Sequence, residues 1–215
     1  MRFVHFVGVV VAAVVVVAGP ASAETVTIGQ AGGSLACNSP IDLVQLANAT
    51  PSYVVPAGTW KLTSWSTIAG GSSAGPLAGN LQLEVWRATA TPLAWQLVGI
   101  SPLVTTSASG LNTFQLSSPI VVRGGDHLGL RNLTLNYPCE APGAGGIEGT
   151  INPTAPVPGE TRVFGASSSA LLNVRATLER VKHDDDDDGR RTTTTTASPG
   201  VPAATAVVVD PHFTG

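Results

Sequence analysis

From residue 24 to residue 181 the chain alternates. Short runs of β-branched and apolar side chains interleave with polar ones and are cut by clusters of Gly, Pro, Ser and Asn, and no segment carries the long apolar stripe of an amphipathic helix. The pattern is clearest in Leu81-Gln82-Leu83-Glu84-Val85-Trp86-Arg87 and in Leu172-Asn173-Val174-Arg175-Ala176-Thr177-Leu178. Successive side chains of a strand point to opposite faces, so such alternation describes sheets with one packed face and one wet face. A parallel arrangement would need crossover helices that the sequence does not supply.

Strands are expected at Thr25 to Ile28, Asp42 to Leu46, Thr59 to Thr67, Leu81 to Arg87, Trp95 to Ile100, Asn112 to Leu116, Ile120 to Val122, His127 to Leu135, Arg162 to Phe164 and Leu172 to Glu179. Many short strands at turn-punctuated spacing predict an all-β fold, an antiparallel β-sandwich of jelly-roll or Greek-key type occupying residues 24–181. After Val181 the composition changes to an aspartate run, five threonines and a Pro/Ala/Val stretch. Few of these residues bury apolar area, so 182–215 is expected to be a disordered tail, with Val207 to Val209 the only part suited to adding an edge strand.

The N-terminus reads as an address. Arg2 supplies a charged start, Val7 to Val17 an apolar core, and Ala21-Ser22-Ala23 a small-residue cleavage site, so residues 1–23 are expected to be a signal peptide cut after Ala23. The apolar run is short for a membrane span and is followed by Gly19-Pro20, which breaks helices. The mature protein is therefore expected to be secreted, with no membrane span. Losing Arg2 makes the formal charge of −3 one unit more negative, and no basic stripe is present, which argues against nucleic-acid partners. Cys37 and Cys139 are the two cysteines. In an oxidising compartment an even count predicts one disulfide, and CxxC redox spacing is absent.

Several motifs weigh for and against chemistry. Gly71-Ser72-Ser73-Ala74-Gly75 matches the nucleophile-elbow pattern around Ser73, but Pro76 and Gly79 stand where its helix should begin. Asp126-His127 offers an acid–base pair, while Arg123-Gly124-Gly125-Asp126 reads as a turn in which Asp126 ties its own backbone. Asp184, Asp186, Asp188 and Gly189 fit the first half of a calcium loop, but Thr195 stands where a bidentate glutamate would close it and Arg190-Arg191 adds positive charge. At most a weak calcium site is expected there, the alternative being a solvated acidic linker; no other cofactor is implied. Asn48-Ala49-Thr50 and Asn132-Leu133-Thr134 match the glycosylation triplet without suggesting a role.

The tryptophans matter because aromatics are few. Strict alternation puts Trp65 beside Lys61, Thr63 and Thr67, and Trp86 beside Gln82 and Glu84, on wet strand faces unless a bulge or a second layer covers them. Exposed indoles among polar side chains suit stacking on sugars or partner surfaces. Trp65 and Trp86 are thus the expected contact residues, with Lys61, Gln82 and Glu84 as polar neighbours. Trp60 and Trp95 sit in register with Leu62 and Leu97 and read as core.

The phrases Tyr53-Val54-Val55-Pro56-Ala57-Gly58, Leu62-Thr63-Ser64-Trp65-Ser66, Leu81 to Arg87, Leu111-Asn112-Thr113-Phe114 and Gly124-Gly125-Asp126-His127-Leu128-Gly129-Leu130 resemble a group of uncharacterised exported proteins of high-GC, actinobacterial-type bacteria. That resemblance implies one β-sandwich followed by an Asp-rich, thrombospondin-type-3-like segment, and it implies no catalytic residue. The combined expectation is a secreted, non-enzymatic binding or surface-display module, directed at carbohydrate or a cell-wall polymer. The alternatives are a secreted hydrolase using Ser73, Asp126 or His127, and a structural extracellular module without a small ligand.

Overall fold

The computed structural model describes residues 23–46, 49–70 and 77–182. The signal segment, Asn48, Ser73 with its Gly-flanked motif, Asp184, Asp186, Asp188 and Val207 to Val209 lie outside the described residues. The chain divides into two units, Met1–Val181 and Lys182–Gly215, and every described strand belongs to the first.

Twelve strands form in chain order: β1 (Thr25–Gln30), β2 (Ile41–Gln45), β3 (Thr59–Ala69), β4 (Asn80–Ala88), β5 (Ala94–Ile100), β6 (Val104–Thr105), β7 (Gly110–Arg123), β8 (His127–Asn132), β9 (Glu140–Ile151), β10 (Thr161–Val163), β11 (Ala166–Leu172) and β12 (Val174–Arg180). No helix occurs among the described residues. One sheet has the order β1-β12-β3-β7; the other runs β10-β5-β4-β8-β2-β9-β11, with β6 also paired to β4. All ladders between these strands are antiparallel. The expected all-β antiparallel sandwich is the fold.

Its core lies between the sheets. Ile28, Trp60, Leu62, Trp65, Val122, Val174, Ala176 and Leu178 come from the first sheet. They meet Leu43, Leu81, Leu83, Val85, Leu128, Leu130 and Leu172 from the second. The apolar halves of the alternating runs are thus the residues that left water, each fully buried Leu or Val contributing about 1.5–3 kcal/mol. Cys37 and Cys139 are bonded across a sequence separation of 102, with Cα atoms 5.8 Å apart.

Asn173 interrupts the predicted strand Leu172 to Glu179. Here the chain leaves one sheet for the other, and the fully buried amide pins the crossing. Its Oδ1 accepts from the Gly32 and Ile68 N–H groups at 2.8 and 3.0 Å, and its Nδ2 donates to the Ile68 and Pro138 carbonyls at 2.7 and 2.6 Å.

β9 is a strand that composition hid. Its sequence EAPGAGGIEGTI looks like a loop, yet it pairs with β2 and β11. A Cβ on Gly146 would meet Leu46, and one on Gly149 would meet Leu43 at 3.0 Å, so the glycines make room for neighbouring leucines.

Candidate functional site

The first correction concerns Trp65, which is 1% exposed rather than on a wet face. The β3 ladders shift register against β7 between Leu62 and Ser64, and against β12 between Thr177 and Leu178. That bulge at Thr63 resets the alternation, so Trp60, Leu62 and Trp65 all point inward while Lys61 stays exposed. The Trp65 ring packs on Phe114, centroids 4.8 Å apart.

Trp86 is corrected by a second layer. Gln82, Glu84 and Trp86 do share the face of β4 turned away from the main core, as alternation requires, but Trp86 is 0% exposed. Phe164 meets it edge-on at 5.0 Å, and Val44, Trp95 and Leu97 complete a small separate cluster. Gln82 is half-buried, its Nε2 donating to the Ser101 carbonyl at 2.9 Å. The five expected contact residues therefore form no common surface: Lys61 and Trp65 belong to β3 of the four-stranded sheet, Gln82, Glu84 and Trp86 to β4 of the other, and neither indole is exposed.

Glu84 lies instead in a buried polar cluster that sequence spacing did not signal. Asp42 of β2 forms ion pairs with Arg131 of β8 and Arg162 of β10. The segment between β9 and β10 covers them: Arg131 Nη2 donates to the Asn152 and Pro153 carbonyls at 3.1 and 3.2 Å, and Arg162 Nη2 to the Thr154 carbonyl at 2.9 Å. Arg162 Nε reaches Glu160 at 2.7 Å. Two guanidiniums thus already face two carboxylates, and the Trp86 Nε1–H donates to Glu84 Oε2 at 2.9 Å while Glu84 Oε1 has no partner. Burial first, then the neighbouring Asp42 charge, pushes the Glu84 carboxyl well above its ordinary range, against the pull of Trp86, Arg131 and Arg162. The charge count agrees, since a neutral Glu84 leaves the cluster balanced.

The pair suited to hydrolysis is engaged elsewhere. Asp126 accepts a bidentate pair from Arg87 at 2.7 and 2.9 Å and the Arg123 N–H at 2.8 Å, the backbone tie expected of the turn. His127 is buried with Nδ1 2.8 Å from the Gln45 carbonyl. That oxygen can only accept, so Nδ1 carries the proton. Trp95 packs edge-on against the ring at 4.9 Å and donates to Glu148 at 2.8 Å. Asn132 is fully buried, its Nδ2 donating to the Asn38 and Thr134 carbonyls, which takes this glycosylation triplet out of reach.

Among the described residues a cleft of about 180 Å³ lies beside the disulfide. Ala36, Cys37 and Asn38 form one wall, the buried Ile41, Leu43 and Ile147 with Gly149 an apolar floor, and the half-buried Glu140 and exposed Ser168 a polar rim. Backbone bonds hold the wall in place: Ser34 and Leu35 donate to the Glu140 carbonyl at 2.9 and 3.0 Å, and Cys37 N–H to the Tyr137 carbonyl at 3.0 Å. Ser168 Oγ lies 3.3 Å from Glu140 Oε2 and donates to it. Burial raises the Glu140 carboxyl above its ordinary value, with the Ser168 bond opposing. Cys37 Sγ, Cys139 Sγ and a Glu140 oxygen lie within 4.8 Å of one another, but the sulfurs are joined in the disulfide and are not thiolate ligands.

Neither Glu140 nor Ser168 carried a sequence signal beyond Glu140 following Cys139. Comparison with family models, with curated proteins and with solved structures gave no match. Among the described residues no helix is long and apolar enough to cross a membrane.

Proposed function

We propose that this chain is an exported, non-enzymatic binding module whose ligand seat is the cleft between the Ala36–Asn38 wall and Glu140, and whose target is a carbohydrate or cell-wall polymer outside the cell. The carrying observation is the cleft: apolar floor, two polar rim groups and a carboxyl of raised pKa in one concavity, held by the disulfide and by main-chain bonds. The export reading rests on residues 1–23 and agrees with a disulfide-closed domain. The commitment of Asp126 to Arg87, and of the His127 proton to a carbonyl, supports binding over hydrolysis.

The test is an array of soluble glycans and peptidoglycan fragments probed with the mature protein, with and without calcium. Wild type is expected to retain cell-wall fragments, and S168W, which places an indole at the exposed cleft rim, to lose them with its circular dichroism unchanged. Retention by S168W equal to wild type, or no retention of any array member, overturns the assignment.

A further inference from the structure

We infer that the cleft recognises a primary ammonium group on a short aliphatic stem, the amine-bearing part of a polymer rather than an uncharged sugar. The inference rests on the reading that the cleft is the ligand seat.

Three properties of the lining point there. Glu140 is its one ionisable side chain; from the 31–40 loop, β2, β9 and β11 the other lining groups are Ala36, the disulfide-bonded Cys37, Asn38, aliphatic residues, Gly149 and Ser168. A carboxyl facing a concavity with no guanidinium or ammonium beside it has its charge uncompensated, in a setting where solvent screens less than at an open surface. The floor is aliphatic, with Ile41, Leu43 and Ile147 and no aromatic ring in the lining. Methylene groups pack on such a surface as a lysine stem does, whereas a pyranose face has no ring to stack on. The cleft is also small, about 180 Å³, below the usual range for a site that encloses a whole ligand and suited to seating one short group of a larger molecule.

The hydrogen-bond arithmetic agrees. Ser168 already spends its proton on Glu140, so the rim offers acceptors: the carboxylate and the serine lone pairs. An ammonium brings three donors and no acceptor, the complement of that set. Sugar hydroxyls need donors too, and the rim has only the Asn38 amide to give. Burial raises the Glu140 carboxyl, and a cation seated beside it favours the ionised form, so affinity is expected to rise with pH through the titration of that carboxyl.

The experiment is a titration of the isotopically labelled mature protein with pentylamine and with 1-pentanol, followed by methyl and amide chemical shifts at several pH values. Pentylammonium is expected to shift Ile41, Leu43, Ile147 and the Cys37 amide saturably, with pentanol and N-acetylpentylamine weaker by about tenfold, the loss of one charge-assisted contact. E140Q should weaken pentylammonium by a similar factor and leave pentanol unchanged. If E140Q does not fold, the same conclusion rests on wild-type affinity falling as pH is lowered through the carboxyl range. Equal response to amine and alcohol at the cleft overturns the ammonium assignment and leaves the seat standing. No shift at the cleft with either probe, together with array binding indifferent to S168W, overturns the seat itself.

Discussion

Asp42 and Arg162, 120 residues apart in sequence, are joined in a buried ion pair that ties β10, the edge strand of the larger sheet, and the segment before it to β2 of the same sheet. Arg131 shares the same carboxylate, and three main-chain carbonyls from residues 152–154 accept from the two Nη2 groups, while the buried Arg131 Nε has no partner. Removing one partner of such a set leaves a charge without compensation in a water-poor site, which costs about 3–5 kcal/mol. R162M is therefore expected to lower the urea midpoint by that equivalent and to expose Trp86, read as a red shift of its fluorescence. A midpoint within experimental error of wild type would show that the segment is held by Phe164 packing alone.

Glu84 gives the cluster a pH dependence of known sign. Its folded carboxyl is raised well above the ordinary value of 4.5, so above that pH the folded state holds a proton the unfolded chain has released. Stability contributed by this group is present below about 4.5 and is lost as pH rises through the folded value. E84Q keeps an oxygen for the Trp86 N–H and removes the titration. Its stability should fall less than that of wild type between pH 4.5 and 8, and the difference between the two denaturation profiles isolates Glu84 from the raised Glu140. Parallel profiles would refute the assignment.

Both tryptophans first expected at the surface are now predicted to be structural. W65A and W86A should each cost about 3–5 kcal/mol, the usual range for deleting a buried aromatic. The wild-type emission maximum should be blue and resistant to acrylamide. Variants that melt like wild type would return Trp65 or Trp86 to the list of contact residues.

The disulfide closes a loop of 102 residues, worth about 4–5 kcal/mol in the chain-entropy account. For a domain of this size 1 kcal/mol moves Tm by roughly 2–4 °C, so the C37S–C139S double variant should melt roughly 10–20 °C lower. The pentylamine shifts at the cleft should weaken with it, because Cys37 forms the wall. A reductant should lower the wild-type Tm by a like amount; if it leaves Tm unchanged while free thiols appear, the bond is not a staple.

Much of the fold was legible because alternation is a local property. The leucines of Leu81 to Arg87 and the apolar set of Leu172 to Leu178 went to the core as their period required, and the paired cysteines followed from count and compartment. Legibility stopped where a neighbour decides. The bulge at Thr63 exists only against β7 and β12, so strict alternation turned Trp65 the wrong way. Trp86 faces outward from its sheet, as its position dictates, and is dry because Phe164 arrives from a segment nearly eighty residues later.

The sequence by itself determined the class of structure, a disulfide-closed antiparallel sandwich, since side-chain period, turn residues and cysteine count are written in the chain. Tertiary structure alone decided which surfaces are free. Burial depends on what packs above a residue, and a Gly-rich strand such as β9 forms because Leu43 and Leu46 fill the space its glycines leave. The same packing removed the tryptophan face and left Glu140, a residue without a motif, on the rim of the cleft.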